Sequence, residues 1–524
     1  MRRRFRVVLV LASVVAVLAP VTSLTPAVAQ PVSLRVMTLN ILYGGDEIDL
    51  DTGRWCTDER GCNDALRRIV RTIEAADPDV VGLQEPINNT RWIADRLGWY
   101  ANPRNHIISR FPIIDPPAGR GVYVYVELAP GEVVAVANTH LSSTPYSPYM
   151  MRSGQPRERI LAVEERLRLP EIKRPLRMLP RLAGRDIPVF FTGDFNSPSH
   201  LDHTRASVEA RGLAYRVPWP VSIALADVGF RDSYRDAHPD PVARPGFTWT
   251  PGVPKLRDNE VHDRIDWVLA SGPSTTVSSE IVGEVGGPDV DVEVDPYVTD
   301  HRGVVSEFTV TPGVPPLFVA PTERRVFTGE DLVVDFHATG RVGERVGIVE
   351  AGDGPGRVIR SRSTGGATDG DVTFPSIDLQ RGVYDLLLVG PNGHARSRAR
   401  FWLYPAGEPP RVWIHDRIVE QGERIRVSWT AAPGNRYDWL GIYRPRQLHP
   451  LAYVCDAVYC RNWDYKWYLY TETRPAGTTS FGPNAQVGYG TWPLARGLYE
   501  IRLFADDGYR LLAVSRPFRV VAED

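Results

Sequence analysis

Residues Val189 to Asn196 read V-F-F-T-G-D-F-N. A short apolar run with strand propensity stops at Gly193, and Asp194 and Asn196 follow at once, so a buried strand delivers a carboxylate and a carboxamide to the loop at its end. On a turn that needs a glycine, such a pair can hold a water and a phosphate oxygen together. The same residues also describe a plain strand end closed by an Asx turn. The remainder of the chain has to decide between the two.

Working outward, the same arrangement recurs. Leu34 to Asn40 alternates as a strand and ends in Asn40; Asp79 to Leu83 reads as a buried strand and runs into Gln84-Glu85. Val122 to Leu128 and Val133 to Ala137 read as antiparallel strands joined through Pro130-Gly131, the second ending in Asn138-Thr139-His140. Arg264 to Ala270 carries Asp266, and Asp300-His301 opens a strand over Val304 to Val310. Helical spacing appears over Ala65 to Ala76, Trp92 to Leu97, Glu158 to Leu167 and Thr204 to Arg211. Mixed strands covered by helices predict an α/β domain ending near Thr311, and in an α/β sandwich these polar ends converge on one face. A polar cap explains one or two such ends, but six in one domain point to a site.

The ordered series L-N-x-x-Y at Leu39 to Tyr43, Gln84-Glu85, N-T-H-L at Asn138 to Leu141, G-D-F-N at Gly193 to Asn196, R-I-D-W at Arg264 to Trp267 and Asp300-His301 resembles the endonuclease/exonuclease/phosphatase superfamily. That group includes pancreatic-type deoxyribonucleases, abasic-site endonucleases, neutral sphingomyelinases and inositol-polyphosphate phosphatases. Ile107 to Ile113 also looks like a segment common in the group, and the resemblance covers roughly residues 33–310. It implies a four-layer, DNase I-like α/β sandwich with a Mg²⁺ or Mn²⁺ site between two sheets. Carried over, Glu85 is the main metal ligand, with Asn40 and Asp300 close to the metal or its waters. Asp194 orients or deprotonates the attacking water, Asn196 and His140 hold phosphate oxygens, and His301 paired with Asp266 stabilises the phosphoryl charge. The chemistry is coherent in itself: anionic esters repel nucleophiles, so hydrolysis needs charge neutralisation and a base that aims water in line.

The 524 residues suit several domains, and 61 basic against 63 acidic residues, a formal charge of -2, give no global pull toward nucleic acid or anionic membrane. Met1 to Ala29 reads as an export signal, with Arg2, Arg3, Arg4 and Arg6 before an apolar run and Ala27-Val28-Ala29 as a cleavage site. Export to a secreted or cell-surface location is therefore expected, without a later membrane span. The four cysteines permit three pairings, and proximity favours Cys56 with Cys62 and Cys455 with Cys460.

Beyond Thr311 the pattern changes to strand and turn. Pro312 to Pro316 and Pro405 to Pro410 read as linkers, which predicts a leader at 1–29, a catalytic domain at 30–311 and β units at 317–404 and 411–522. The two β units repeat one another: Gly329-Glu330 matches Gly422-Glu423, Gly347-Ile348 matches Gly441-Ile442, and Tyr384 matches Tyr499. Two immunoglobulin-like sandwiches are expected, with cell-surface or polysaccharide contact as one role for them. Trp463, Tyr465 and Trp467, at strand spacing, form either an aromatic binding face or part of the core.

Two further stretches have two readings each. The cations from Arg166 to Arg185 suit either a grip on a polyanion or lipid head groups or a solvated helix and loop, and the acidic residues Glu280 to Asp295 suit either an extra calcium site or solubility. The function expected is a secreted, divalent-metal-dependent phosphoesterase acting on a phosphate mono- or diester: nucleic acid, phospholipid or a small ester. Pro145 to Met151, just after His140, offers aromatic and thioether groups for lipid or nucleobase contact. The alternatives are an extracellular nuclease, a sphingomyelinase-like lipid phosphodiesterase, and an inactive surface-binding protein that retains the fold.

Overall fold

The computed structural model describes residues 30–45, 48–49, 54–55, 59–250, 260–445, 465–483, 486–487, 492–508 and 510–523. The expected leader, three of the cysteines with the side chain of Cys62, and Trp463 lie outside the described residues.

Alternation along the strands dictates where each side chain goes. In the strand Val32–Asn40, Met37 and Leu39 pack outward against the helices Glu59–Ala76 and Thr90–Leu97 with Ile69, Ile73 and Ile93. Leu34 and Val36 face the other way, into the layer between two sheets, and the same row continues with Thr38 and Asn40. Val189–Asp194 repeats the scheme: Phe191 faces outward while Phe190 joins the central layer, in the row that Thr192 and Asp194 complete. Glu132–His140 does so with Val134 and Val136 leading to Asn138 and His140. Asp266–Ser271 contributes Val268 and Ala270 to the same layer, with Asp266 at the end of the row. Each inward row is therefore apolar at one end and polar at the other.

The first sheet has seven strands in the order Val290–Val294, Ser274–Glu284, Gly303–Val310, Val32–Asn40, Val80–Gln84, Ile107–Ser109, Tyr100–Asn102. The second has six: Arg231–Asp232, Asp266–Ser271, Val189–Asp194, Glu132–His140, Val124–Ala129, Ile113–Ile114. In each sheet the central pair is parallel, Val32–Asn40 beside Val80–Gln84 and Val189–Asp194 beside Glu132–His140, which brings their polar ends to the same edge. Helices Lys173–Ala183 and Pro220–Asp227 cover the second sheet through Leu179, Leu182 and Leu225. The result is helix, sheet, sheet, helix: the four-layer sandwich expected.

The sheets touch at Gly82. A Cβ there would lie 2.0 Å from Thr192 Oγ1 and 2.6 Å from Asn138 Oδ1, so any side chain would force the sheets apart. Around it Gln84 Nε2 donates to Asn138 Oδ1 (2.7 Å), and Asn138 Nδ2 donates to Leu83 O (2.7 Å). Gln84 and Asn138 are thus buried cross-sheet ties under the cleft floor.

The chain beyond the sandwich forms two β-rich units, each with a three-stranded sheet facing a larger one. In the first, Leu332, Val334, Phe336, Ile348, Leu386 and Phe401 form the core. In the second, Ile425, Val427, Trp429, Ile442, Ile501 and Phe518 occupy the same places, which is the repeat seen in the sequence. Trp467 is buried in that core, so it takes the packing role of its two readings. The stretch Pro312–Pro316 is pinned rather than free: Gly313 and Val133 exchange backbone hydrogen bonds of 2.9 and 2.8 Å. Phe318 and Ala320 then enter the sandwich's own core beside Tyr125. Among the described residues no helix is long and apolar enough to cross a membrane.

Candidate active site

The polar ends meet in one cleft. Asn40, 1% exposed, donates from Nδ2 to Asp194 Oδ2 (3.1 Å) and Glu85 Oε1 (3.3 Å). Asp194 Oδ1 accepts the Asn196 backbone N–H at 2.9 Å, an Asx turn that fixes the carboxylate. Glu85 Oε2 accepts the Tyr43 backbone N–H at 2.8 Å. Glu85 (φ 57°) and Asn196 (φ 48°) both stand in the left-handed region, a conformation that costs non-glycine residues about 1 kcal/mol or more and clusters at functional sites.

Two histidines point at the same carboxylate oxygen. His140 Nε2 lies 3.5 Å from Asp194 Oδ2 and 3.9 Å from Glu85 Oε1; His301 Nε2 lies 3.7 Å from Asp194 Oδ2. Behind His301, Asp266 Oδ2 pairs with Nδ1 at 2.9 Å, and Trp249 packs on the ring at 4.9 Å. Burial opposes charge on both rings, yet Asp266 and Asp194 hold His301 well above its ordinary value, and Asp194 with Glu85 raises His140. Both rings are biased toward their charged form and face one point. Burial likewise pushes Asp194 above the usual carboxylate range, with Asp266 adding and the histidines opposing, which makes it a better base. Asp300 is pushed up to about 6 by burial, with Glu85 acting in the same direction and His301 against.

Asp194, Asp266 and His301 place ligand-type atoms within 4.8 Å of one another. In that group His301 Nδ1 is bonded to Asp266, which leaves Nε2 facing Asp194, and the two carboxylates favour the ring's charged form, which has no lone pair to give. Asp300 fits better. Its Oδ1 is buried without a hydrogen-bond partner among the described residues, and its carboxyl feels Glu85. Glu85 and Asp300 offer hard carboxylate oxygens of the kind Mg²⁺ takes, whereas the Asn40 amide expected beside the metal presents its nitrogen to Glu85 and Asp194. As oriented, Asn40 turns its N–H₂ to the carboxylates and its Oδ1 to the Leu42 N–H (3.1 Å), so it positions Glu85 and Asp194. Asn196 Nδ2 spends one donor on Leu141 O (2.9 Å), which orients the amide and leaves its second N–H.

Asn40, Glu85, His140, Asp194, Asn196, Asp266, Asp300 and His301 are thus brought together in one cleft of the sandwich. The supports behind them were not legible. Arg168, from the basic tract, is fully buried: its Nη1 lies 2.6 Å from Glu164 Oε1, and Nη2 donates to Ser143 O and Pro145 O. Glu164 Oε2 accepts Ser197 Oγ at 2.9 Å, so one ion pair braces the loops after both His140 and Asn196. Arg264 is likewise buried, on Asp202 and Asp232. The acidic stretch after Ser279 is ion-paired: Glu280 with Arg35 at 3.2 Å, Asp291 with Arg244 at 2.8 Å, and Glu284 with Arg302. Tyr146 donates to Asp263 Oδ2 (3.2 Å) and stacks edge-on with Tyr149, which places the Pro145–Met151 aromatics beside the cleft.

The family model described as "Endonuclease/Exonuclease/phosphatase family" matches residues 37–173 and 179–301, which include Asn40, Glu85, His140, Asp194, Asn196, Asp266, Asp300 and His301. An uncharacterized protein of Caenorhabditis elegans is 31% identical over 265 residues, 46% of this chain and 79% of that one. The chain belongs to the endonuclease/exonuclease/phosphatase family. Among solved structures, an endonuclease/exonuclease/phosphatase from Beutenbergia cavernae covers 71% of this chain and 100% of its own at 17% identity and a TM-score of 0.34. D. rerio TDP2 complexed with single strand DNA product covers 53% and 99% at 19% identity and a TM-score of 0.33.

Proposed function

We propose that the protein is a secreted, divalent-metal-dependent phosphoesterase that hydrolyses phosphate mono- or diesters by in-line attack of water. The observation that carries this reading is the convergence of the His140 and His301 Nε2 atoms, 3.5 and 3.7 Å away, on one oxygen of the buried Asp194. A phosphoryl group seated between the two imidazoliums has its charge neutralised as it develops, in a site where water screens little. Asp266 holds His301 in the orientation and charge state that this requires. Asp194, with one oxygen tied by the Asn196 N–H, keeps the other toward the cleft, where it takes the proton of an attacking water. The remaining Asn196 N–H is available to a phosphate oxygen. Glu85 and Asp300 would hold Mg²⁺ or Mn²⁺, which supplies charge neutralisation and Lewis acidity on the ester.

The assignment of Glu85 is tested by titrating Mg²⁺ and Mn²⁺ into the intact chain and the Glu85→Gln variant in a calorimeter. The account expects metal affinity to fall at least tenfold, with hydrolysis lost in parallel. Unchanged metal binding would remove Glu85 from the site.

A further inference from the structure

The C-terminal β unit is docked on the cleft. Asp506 Oδ1 lies 2.6 Å from His106 Nε2, and Oδ2 accepts the Asn88 backbone N–H at 2.9 Å, three residues beyond Glu85. Gly508 fits against Ile87 so closely that a Cβ would stand 2.3 Å from its Cγ2. Arg436 Nη1 donates to Asn138 O at 2.7 Å, two residues before His140, and the Tyr437 ring packs on His106 at 5.0 Å. One loop of the β unit thus sits on the Glu85 turn, and another on the strand end that carries His140.

Between these anchors stands Asp507. Its backbone N–H donates to Tyr437 O (2.9 Å), and its Oδ1 accepts the Tyr470 hydroxyl at 2.9 Å. Among the described residues Oδ2 has no protein donor. The side chain is half-buried and within electrostatic reach of His140 and Glu85. The rings of Tyr437 and Tyr470 meet edge-on at 5.4 Å beside it, and Glu171, held by Ser142, adds a second carboxylate near His140.

We infer that this loop is a wall of the active site and that Asp507 is a specificity-determining residue, whose free oxygen accepts a hydrogen bond from a hydroxyl on the alcohol half of the phosphate ester. The inference rests on the phosphoesterase reading above. A carboxylate flanked by tyrosines and placed next to the phosphate pocket favours a small polyhydroxylated alcohol, where an aromatic face covers the carbon skeleton and the carboxylate takes a hydroxyl proton. It disfavours an extended polyanion, because the next phosphate of a nucleic acid strand would meet Asp507 and Glu171.

Two non-hydrolysable probes isolate this contact: butylphosphonate, and dihydroxybutylphosphonate, which differs only in its hydroxyls. Their binding to the intact chain with Mg²⁺ is compared by calorimetry for wild type, Asp507→Ala and Asp507→Asn. The wild type is expected to prefer the dihydroxy probe by about tenfold, as a site built to bond a hydroxyl discriminates against its absence. Asp507→Ala should abolish the preference and Asp507→Asn retain part of it, with butylphosphonate affinity held within about threefold in both. Equal binding of the two probes by wild type, or a preference that survives in Asp507→Ala, overturns the wall alone. A wild-type chain that binds neither phosphonate overturns the phosphoesterase reading, and the wall with it.

Discussion

Asp266→Asn isolates what the charge behind His301 contributes. Asp266 is fully buried, and its Oδ2 lies 2.9 Å from His301 Nδ1, so the amide keeps the shape and one acceptor while removing the negative charge. Two effects on stability oppose each other. The wild-type Oδ1 is already buried without a partner, so losing the charge there relieves a desolvation cost; an amide N–H₂ in that place is itself unsatisfied. The net change is expected within about 2 kcal/mol. Catalysis has no such offset. His301 without its counter-charge loses much of its bias toward imidazolium, and removal of one preorganised donor to a developing anion costs about 3–4 kcal/mol, or ~10²–10³ in kcat. The assay is steady-state hydrolysis at saturating Mg²⁺, with a thermal melt as the control for folding. A folded variant whose kcat stays within about threefold of wild type would refute the role given to the Asp266–His301 pair.

Arg168→Ala should destabilise the chain by about 3–5 kcal/mol in denaturant unfolding, since it strands Glu164 as a buried, unpaired charge. Asp335 sits directly across from Asp371 on adjacent strands, and burial with that like charge pushes its carboxyl from 3.8 to about 7. A folded-state value above the unfolded one means that folding favours the protonated form, so stability falls as pH rises from about 4 to 7. Asp335→Asn should therefore stabilise the chain at pH 8 by on the order of 1 kcal/mol, after discounting for solvent at this half-buried group, and change nothing at pH 4. Melting curves at the two pH values check it.

The central layer was legible because strand periodicity alone says which residues share a face. Once Leu34 and Val36 are core, Asn40 must follow them to the same side, and likewise Asp194 follows Phe190. What periodicity cannot say is which polar ends are spent on holding the sheets together. Gln84 and Asn138 read like site residues and are ties, because the 2.7 Å contact between them crosses from one sheet to the other. The helix Lys173–Ala183 was among the readings of the basic tract, but its arginines suggested a solvated one, and Leu179 and Leu182 bury one of its faces on the second sheet. Arg168, from the same tract, is an internal brace. The β unit's approach to the cleft left no local signal: Asp506 lies 400 residues from His106, and its partners are a backbone N–H and an imidazole that no spacing rule links. The turn-like Asp506-Asp507-Gly508 was the available trace, and a hairpin loop explains it equally well.

The most direct test of the account is hydrolysis by purified residues 30–524 of a mixed panel of phosphate esters, with Mg²⁺ or with EDTA: duplex and single-stranded DNA, RNA, sphingomyelin, phosphoinositides and small monoesters. The account predicts that at least one class is cleaved with Mg²⁺, that EDTA abolishes the cleavage, and that Asp194→Ala does the same. Cleavage that persists in EDTA, or a folded, metal-binding chain that leaves every ester intact, would contradict it.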